Sequence, residues 1–188
     1  MLPRLCAVLL LSSVTAVSYA DSLDLNLHSD AIRGTYTHNL QSDYKGLEAD
    51  FGMLYSDDVR NTSETLMHVG LNVSGENWSD AGTFDIAIGG RLIYSSPGPY
   101  DAAAMSLGGR VRFSPVERFG IGGHVYYAPS ITSFMDADSY SEWGVKVDYQ
   151  LLPTAFAYIG YRKIKLNIDG GPDIEMDDNA HIGMQLLF

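Results

Sequence analysis

Gly46–Ser56 reads G-L-E-A-D-F-G-M-L-Y-S. On an extended chain, Leu47, Ala49, Phe51, Met53 and Tyr55 share one face, and Glu48, Asp50, Gly52 and Ser56 share the other. A period of two is the mark of a β-strand whose two faces meet different surroundings. The same period recurs in Met67–Ser74, Phe84–Tyr94, Met105–Phe113, Phe119–Tyr127, Trp143–Tyr149, Ala157–Arg162 and His181–Phe188. Two shorter segments, Ser22–His28 and Ala31–His38, precede them, with an apolar phase that flips across Ser29-Asp30. No helical period competes, so the chain is read as all-β.

Composition agrees. Of 188 residues, 46% are hydrophobic and 19% charged, which excludes a disordered chain. No run reaches the roughly 18 apolar residues a membrane-spanning helix requires. Glycine, with 19 residues, and tyrosine, with 12, favour strands and turns over helices. A net charge of −11 argues against nucleic acid as a partner, because phosphate binding needs a basic surface.

Residues 1–20 read as a signal peptide. Arg4 supplies the positive start, Leu5–Leu11 the short apolar core, and Ser18-Tyr19-Ala20 the small-x-small cleavage pattern. Cleavage before Asp21 leaves residues 21–188 as a single domain and removes Cys6, the one cysteine. The mature chain therefore has neither disulfide nor catalytic thiol.

Connection lengths give the strands a direction. Phe113–Val116 and Leu151–Thr154 are short, proline-marked turns, whereas Tyr55–Thr65, Ala128–Ser139 and Ile168–Asp178 are longer. Asn77–Gly82 and Ser95–Asp101 are intermediate. Transmembrane barrels have short periplasmic turns and longer outer loops. With Phe188 at the periplasmic end, that parity holds back along the chain. A soluble β-sandwich alternates as well. Two features favour the membrane: strands near ten residues long, as a tilted membrane strand requires, and aromatics at the ends of the apolar rows. The latter include Tyr55, Tyr94, Phe113, Phe119, Tyr127, Trp143, Tyr149, Tyr161 and Phe188, where interfacial girdles belong. The expected fold is a closed antiparallel transmembrane up-and-down β-barrel of 8–10 strands.

The polar face adds a third feature. It carries Glu48, Asp50, Asp85, Glu142 and Asp148 against Arg91, Arg110, Arg112, Lys146 and Arg162. This set balances, although the chain as a whole is acidic. Charges in a narrow lumen persist only when paired, so these ten residues are the expected interior charge network, with a structural role.

Three stretches carry a family resemblance: Gly108–Pro115 (G-G-R-V-R-F-S-P), Tyr127–Phe134 (Y-A-P-S-I-T-S-F) and Tyr158–Lys163 (Y-I-G-Y-R-K). With Leu25-Asn26-Leu27 and Gly70–Val73, they make the chain resemble the YfaZ family of Gram-negative bacterial proteins over essentially its whole mature length. The resemblance implies an outer-membrane β-barrel and supplies no catalytic residue. Phe188, with Leu186 and Met184 on its face, also resembles the last-strand signal read by the barrel-assembly machinery.

Dedicated chemistry is sparse. His28, His38, His68, His124 and His181 lie on separate segments without metal-ligand spacing, and they read as single polar-face histidines hydrogen-bonded inside the barrel. Ser56-Asp57 and Ser139 could join a histidine in a hydrolase triad, but no spacing selects a nucleophile and its base. Asp169–Asp178 is acidic but lacks the order of an EF-hand loop. The expectations are no cofactor and no dedicated metal site. The loops Ser56–Glu64 and Asp169–Asp178 are expected to be mobile and to take up Mg²⁺ or Ca²⁺ weakly. The function read from the sequence is a small outer-membrane barrel with a filled interior, in contact with outer-membrane lipid and lipopolysaccharide, in a structural or interaction role. A lipid-modifying enzyme and a narrow channel remain the alternatives, and the oligomeric state stays open.

Overall fold

The computed structural model describes residues 21–40, 46–57 and 63–188. The expected signal peptide lies outside them, as does the centre of the connection after Asp57. The strands are β1 (Ser22–Leu27), β2 (Ala31–Asn39), β3 (Leu47–Asp57), β4 (Ser63–Ser79), β5 (Gly82–Ser95), β6 (Ala102–Val116), β7 (Phe119–Ala128), β8 (Ser133–Met135), β9 (Ala137–Leu152), β10 (Ala155–Ile168) and β11 (Asp173–Leu187). Sequential antiparallel pairing runs from β1 to β7. β9 then pairs with β7, β10 with β9, and β11 with β10. β11 returns to β1 and closes the sheet. At that seam the Asp21 N–H donates to Phe188 O at 3.1 Å, and the Phe188 N–H donates to Asp21 O at 2.9 Å. The three-residue β8 extends the β7 position against β6. Ten strands therefore form the wall, which decides between eight and ten.

Closure requires tilt. A walk through paired residues from Leu27 reaches β4 at Thr65 by way of Ile32 and Tyr55. The opposite walk, by way of Ile182, Ile159, Val147, Ile121, Phe113 and Phe84, reaches β4 at Asn77. The ladder thus closes with a stagger, and a staggered closed ladder has inclined strands. The connections 80–81, 117–118 and 153–154 lie at one end, the turn end. Gly82 forms one such turn at φ +131°, where a Cβ would sit 2.2 Å from Ser114 O. The connections 28–30, 96–101, 129–136 and 169–172 lie at the opposite, loop end, where β3 also ends at Asp57 and β4 begins at Ser63.

The outer wall excludes a soluble sandwich. Leu47, Phe51, Ile86, Val145 and Ile159, from four strands, are between 36% and 64% exposed. They belong to an apolar belt shared by all ten wall strands, far larger than the few hundred Å² a soluble monomer exposes. Aromatic pairs rim the belt: Trp143 and Tyr161 toward the loop end, with ring centroids 5.5 Å apart, and Phe84 with Phe113 at the turn end, 4.3 Å apart.

Three expectations about connections are corrected. Asp173–Asp178 is not a mobile loop but the start of β11, and the turn is confined to 169–172. Its pairing with β10 shifts register between Ile164 and Lys165. This bulge turns the consecutive Met176 and Asp177 both inward, where both are buried. On the outside, Lys163 Nζ lies 2.6 Å from Asp178 Oδ2, and Lys165 Nζ lies 2.7 Å from Asp173 Oδ2. Ser56 and Asp57 likewise belong to β3, with Ser56 buried. Finally, the longer connection read over Ala128–Ser139 is shorter than expected, because β9 already begins at Ala137, and it contains a 3-10 turn at Ser130–Thr132 and β8.

Candidate functional site in the barrel interior

The inward face of each strand is set by its parity, and the buried polar residues occupy it. One cluster centres on Glu142 of β9. Arg33 Nη1 donates to Glu142 Oε1 at 2.6 Å, and Tyr140 OH donates to Oε2 at 2.6 Å. His124 Nε2 lies 3.1 Å from Oε1, and Arg91 Nη1 lies 3.8 Å from Oε2. Arg91 links this cluster to Asp50, its Nε lying 3.1 Å from Oδ1. Asp50 Oδ1 is also 3.0 Å from His68 Nε2, and Oδ2 accepts from Asn72 Nδ2 at 2.5 Å. The Arg91 guanidinium lies 3.8 Å from the Tyr126 ring centroid, a cation–π contact, and Tyr126 OH donates to Asn72 Oδ1 at 3.2 Å.

A second chain follows β1, β10 and β11. Arg162 donates through Nε to Asp177 Oδ2 at 2.8 Å and through Nη1 to Asn26 Oδ1 at 2.9 Å. Asn26 Nδ2 donates to Tyr158 OH at 3.1 Å, and Tyr158 OH donates to Asp24. Lys146 Nζ lies 3.7 Å from Asp24 Oδ2. His28 Nε2 reaches Asp177 Oδ1 at 3.2 Å from the loop end. Toward the turn end, Arg112 grips Asp148 with two bonds, of 2.9 and 2.6 Å, and lies 3.7 Å from Asp85, while Arg110 pairs with Glu48.

Of the ten network residues read from the sequence, Glu48, Asp50, Asp85, Arg91, Arg110, Arg112, Glu142 and Asp148 pair among themselves. Lys146 and Arg162 instead take partners that the sequence reading left out, Asp24 and Asp177. Arg33 joins the network as well, outside that set, and His68 and His124 lie in the interior as expected of polar-face histidines. Arg33 was legible: it lies opposite the Ile32, Gly34, Tyr36 row by parity alone. Asp177 was not, because the bulge breaks the period. Four histidines face inward, and His38 lies on the outside beside Asp21, with Nδ1 2.7 Å from Oδ1.

Glycines make the room for these side chains. A Cβ on Gly52 would lie 2.1 Å from His68 Cε1, one on Gly144 2.6 Å from His124 Cε1, and one on Gly120 2.4 Å from Arg112 Nη2. Large polar groups cross a narrow lumen only where the neighbouring strand has no side chain, which accounts for much of the glycine content.

Toward the loop end the interior turns apolar. Ala31, Leu54, Leu66, Ile93, Ala104, Ala128, Tyr140 and Ile164 each come from a different strand and form one buried cluster with Leu166, Ile168 and Met176. Register ties them into a ring, with Leu54 opposite Leu66 and Ile93 opposite Ala104. The signal was present in the sequence: Met53-Leu54-Tyr55, Thr65-Leu66-Met67 and Leu92-Ile93-Tyr94 are apolar or nearly so on both faces. Among the described residues, no group of histidine, cysteine and carboxylate side chains is arranged to hold a metal ion.

The family model described as YfaZ precursor matches residues 3–188. The chain belongs to the YfaZ family. No curated protein matches it. Among solved structures, a KdgM porin is similar, with 12% sequence identity, 90% of this chain and 99% of that chain covered, and a TM-score of 0.47. The fold of this YfaZ-family chain rests on its own strand pairing: a small β-barrel of the outer-membrane type.

Proposed function

We propose that this protein resides in the bacterial outer membrane as a closed, non-conducting barrel with a structural or interaction role. The supporting observation is the filled interior: an ion-paired layer lies beneath an apolar cluster drawn from the wall strands. An ion crossing such a lumen must shed water against apolar side chains, and apolar constrictions block conduction in this way. Paired charges below offer it no free partner in exchange, and separating them leaves buried charge at a cost of several kcal/mol, roughly 3–5 per pair. The network residues thereby act as bracing across the lumen, with the glycine notches setting where each brace crosses. Insertion through the assembly machinery by way of the β11 end at Phe188, and contact of the loop end with lipopolysaccharide, belong to the same reading.

Planar-bilayer recordings on purified protein, combined with fractionation of expressing cells, test it. The expected result is a heat-modifiable band in the outer-membrane fraction and a silent bilayer. Steady, reproducible open levels from the wild-type protein would replace this reading with a narrow channel.

A further inference from the structure

The apolar ring is incomplete. Nine wall strands contribute apolar groups to it, but β11 brings Asp177, the register partner of Ile164, inward beside its Met176, and the turn after β1 contributes His28. These two polar groups are fully enclosed: the Asp177 side chain is 0% exposed and that of His28 is 6% exposed. They are held from beneath by Arg162, at 2%. The polar chain continues below Arg162 through Asn26, Tyr158 and Asp24 to Lys146. A polar track thus follows the β1–β10–β11 wall from the lower lumen to the loop end. The wall is also low there, because β1 ends at Leu27 whereas β10 and β11 continue past it to Ile168 and Asp173.

We propose that His28, Asp177 and Arg162 form the gate of a small-ion passage along this wall, shut while Asp177 is engaged by Arg162. Elsewhere around the ring an ion meets hydrocarbon interrupted by the buried side chains of Ser56, Glu64 and Ser95, which do not join the polar track below. At the gate it meets a carboxylate and a guanidinium, which can exchange each other for an ion and water. Breaking the pair frees charged groups that line a continuous hydrogen-bonded path, and the sign of the charge left in place sets the selectivity. The proposal builds on the closed-barrel reading and adds to it the place where closure can be released.

Asp177→Asn keeps the side-chain shape and removes the charge, leaving Arg162 unneutralised. In planar bilayers with a KCl gradient, the expected result is discrete current steps where the wild type gives none, with a reversal potential shifted toward anion preference. Arg162→Gln is the second variant, since it breaks the same pair from the other side and leaves Asp177 as the unneutralised charge. It should conduct with the reversal potential shifted the opposite way. Ile93→Ala enlarges the ring away from β1 and β11 and is expected to stay silent. Folding of each variant is read by heat-modifiable mobility. If Asp177→Asn does not fold, Arg162→Gln alone decides the matter. Silence of every folded gate variant overturns the proposal. So does equal, unselective current from Ile93→Ala, which would mean that any loosening opens the barrel. Current from the wild type would instead refute the closed-barrel reading itself.

Discussion

Removing the Glu142 carboxylate is the most demanding perturbation of the interior, because four side chains converge on it. In Glu142→Ala, Arg33 loses its ion-pair partner at 2.6 Å while remaining only 7% exposed. Tyr140 OH loses its acceptor, and Arg91 keeps only Asp50. Breaking a buried pair from one side costs about 3–5 kcal/mol, because the remaining charge stays out of water. A buried hydroxyl left without an acceptor costs about 1–3 kcal/mol more. The contributions share one cluster and will not add fully, so a loss of about 4 kcal/mol is expected. With a urea slope of roughly 2 kcal/mol per molar, that moves the unfolding midpoint down by about 2 M. The assay is urea titration of the refolded barrel in lipid vesicles, followed by tryptophan fluorescence and gel mobility. Lys165→Met, which removes an exposed pair on the outer wall, should leave the midpoint in place. The double variant Arg33→Met with Glu142→Leu should recover most of the loss, because two apolar groups of similar volume leave no orphaned charge on Arg33. A Glu142→Ala midpoint no lower than that of Lys165→Met would refute the account of the interior as a set of load-sharing buried pairs.

Other consequences are simpler to test. Gly52→Val should abolish refolding or displace His68, since even a Cβ there would come within 2.1 Å of the imidazole; refolding yield of Gly52→Val against His68→Ala/Gly52→Val separates the two, and recovery in the double variant is expected. Ile159→Arg places a charge on the lipid-facing belt and should cost about 2–4 kcal/mol if it lies near the bilayer midplane; an unchanged urea midpoint would argue that this face does not meet lipid. N-terminal sequencing of protein purified from membranes should begin at Asp21, whose backbone already pairs with Phe188 across the seam.

The sequence by itself determined the features that arise from local repetition. A period of two, maintained through ten segments, was enough for an all-β barrel, because a strand's faces alternate regardless of its neighbours. Connection parity similarly placed the short turns together at one end. Most of the interior charges were legible for the same reason, Glu48, Asp50 and Arg91 among them, and Arg33 could have been read by the same rule. The tertiary structure decided everything that depends on which strand faces which. Strand order joins Arg33 to Glu142 across the lumen and Arg112 to Asp148 over Gly120 of the intervening β7, residues far apart in the chain whose distance only the closed ladder fixes. The apolar ring is equally nonlocal: Leu54, Leu66, Ile93 and Ile164 look like isolated lapses in four strands until closure brings them together. The acidic stretch after Ile168 looked like a solvated loop because its charges are dense and its period is broken. One bulge at Met176-Asp177 accounts for the broken period and turns Asp177 into the lumen onto Arg162, while Asp178 and Asp173 pair outside with Lys163 and Lys165. A bulge is a property of two strands in register, and no periodicity within one strand encodes it.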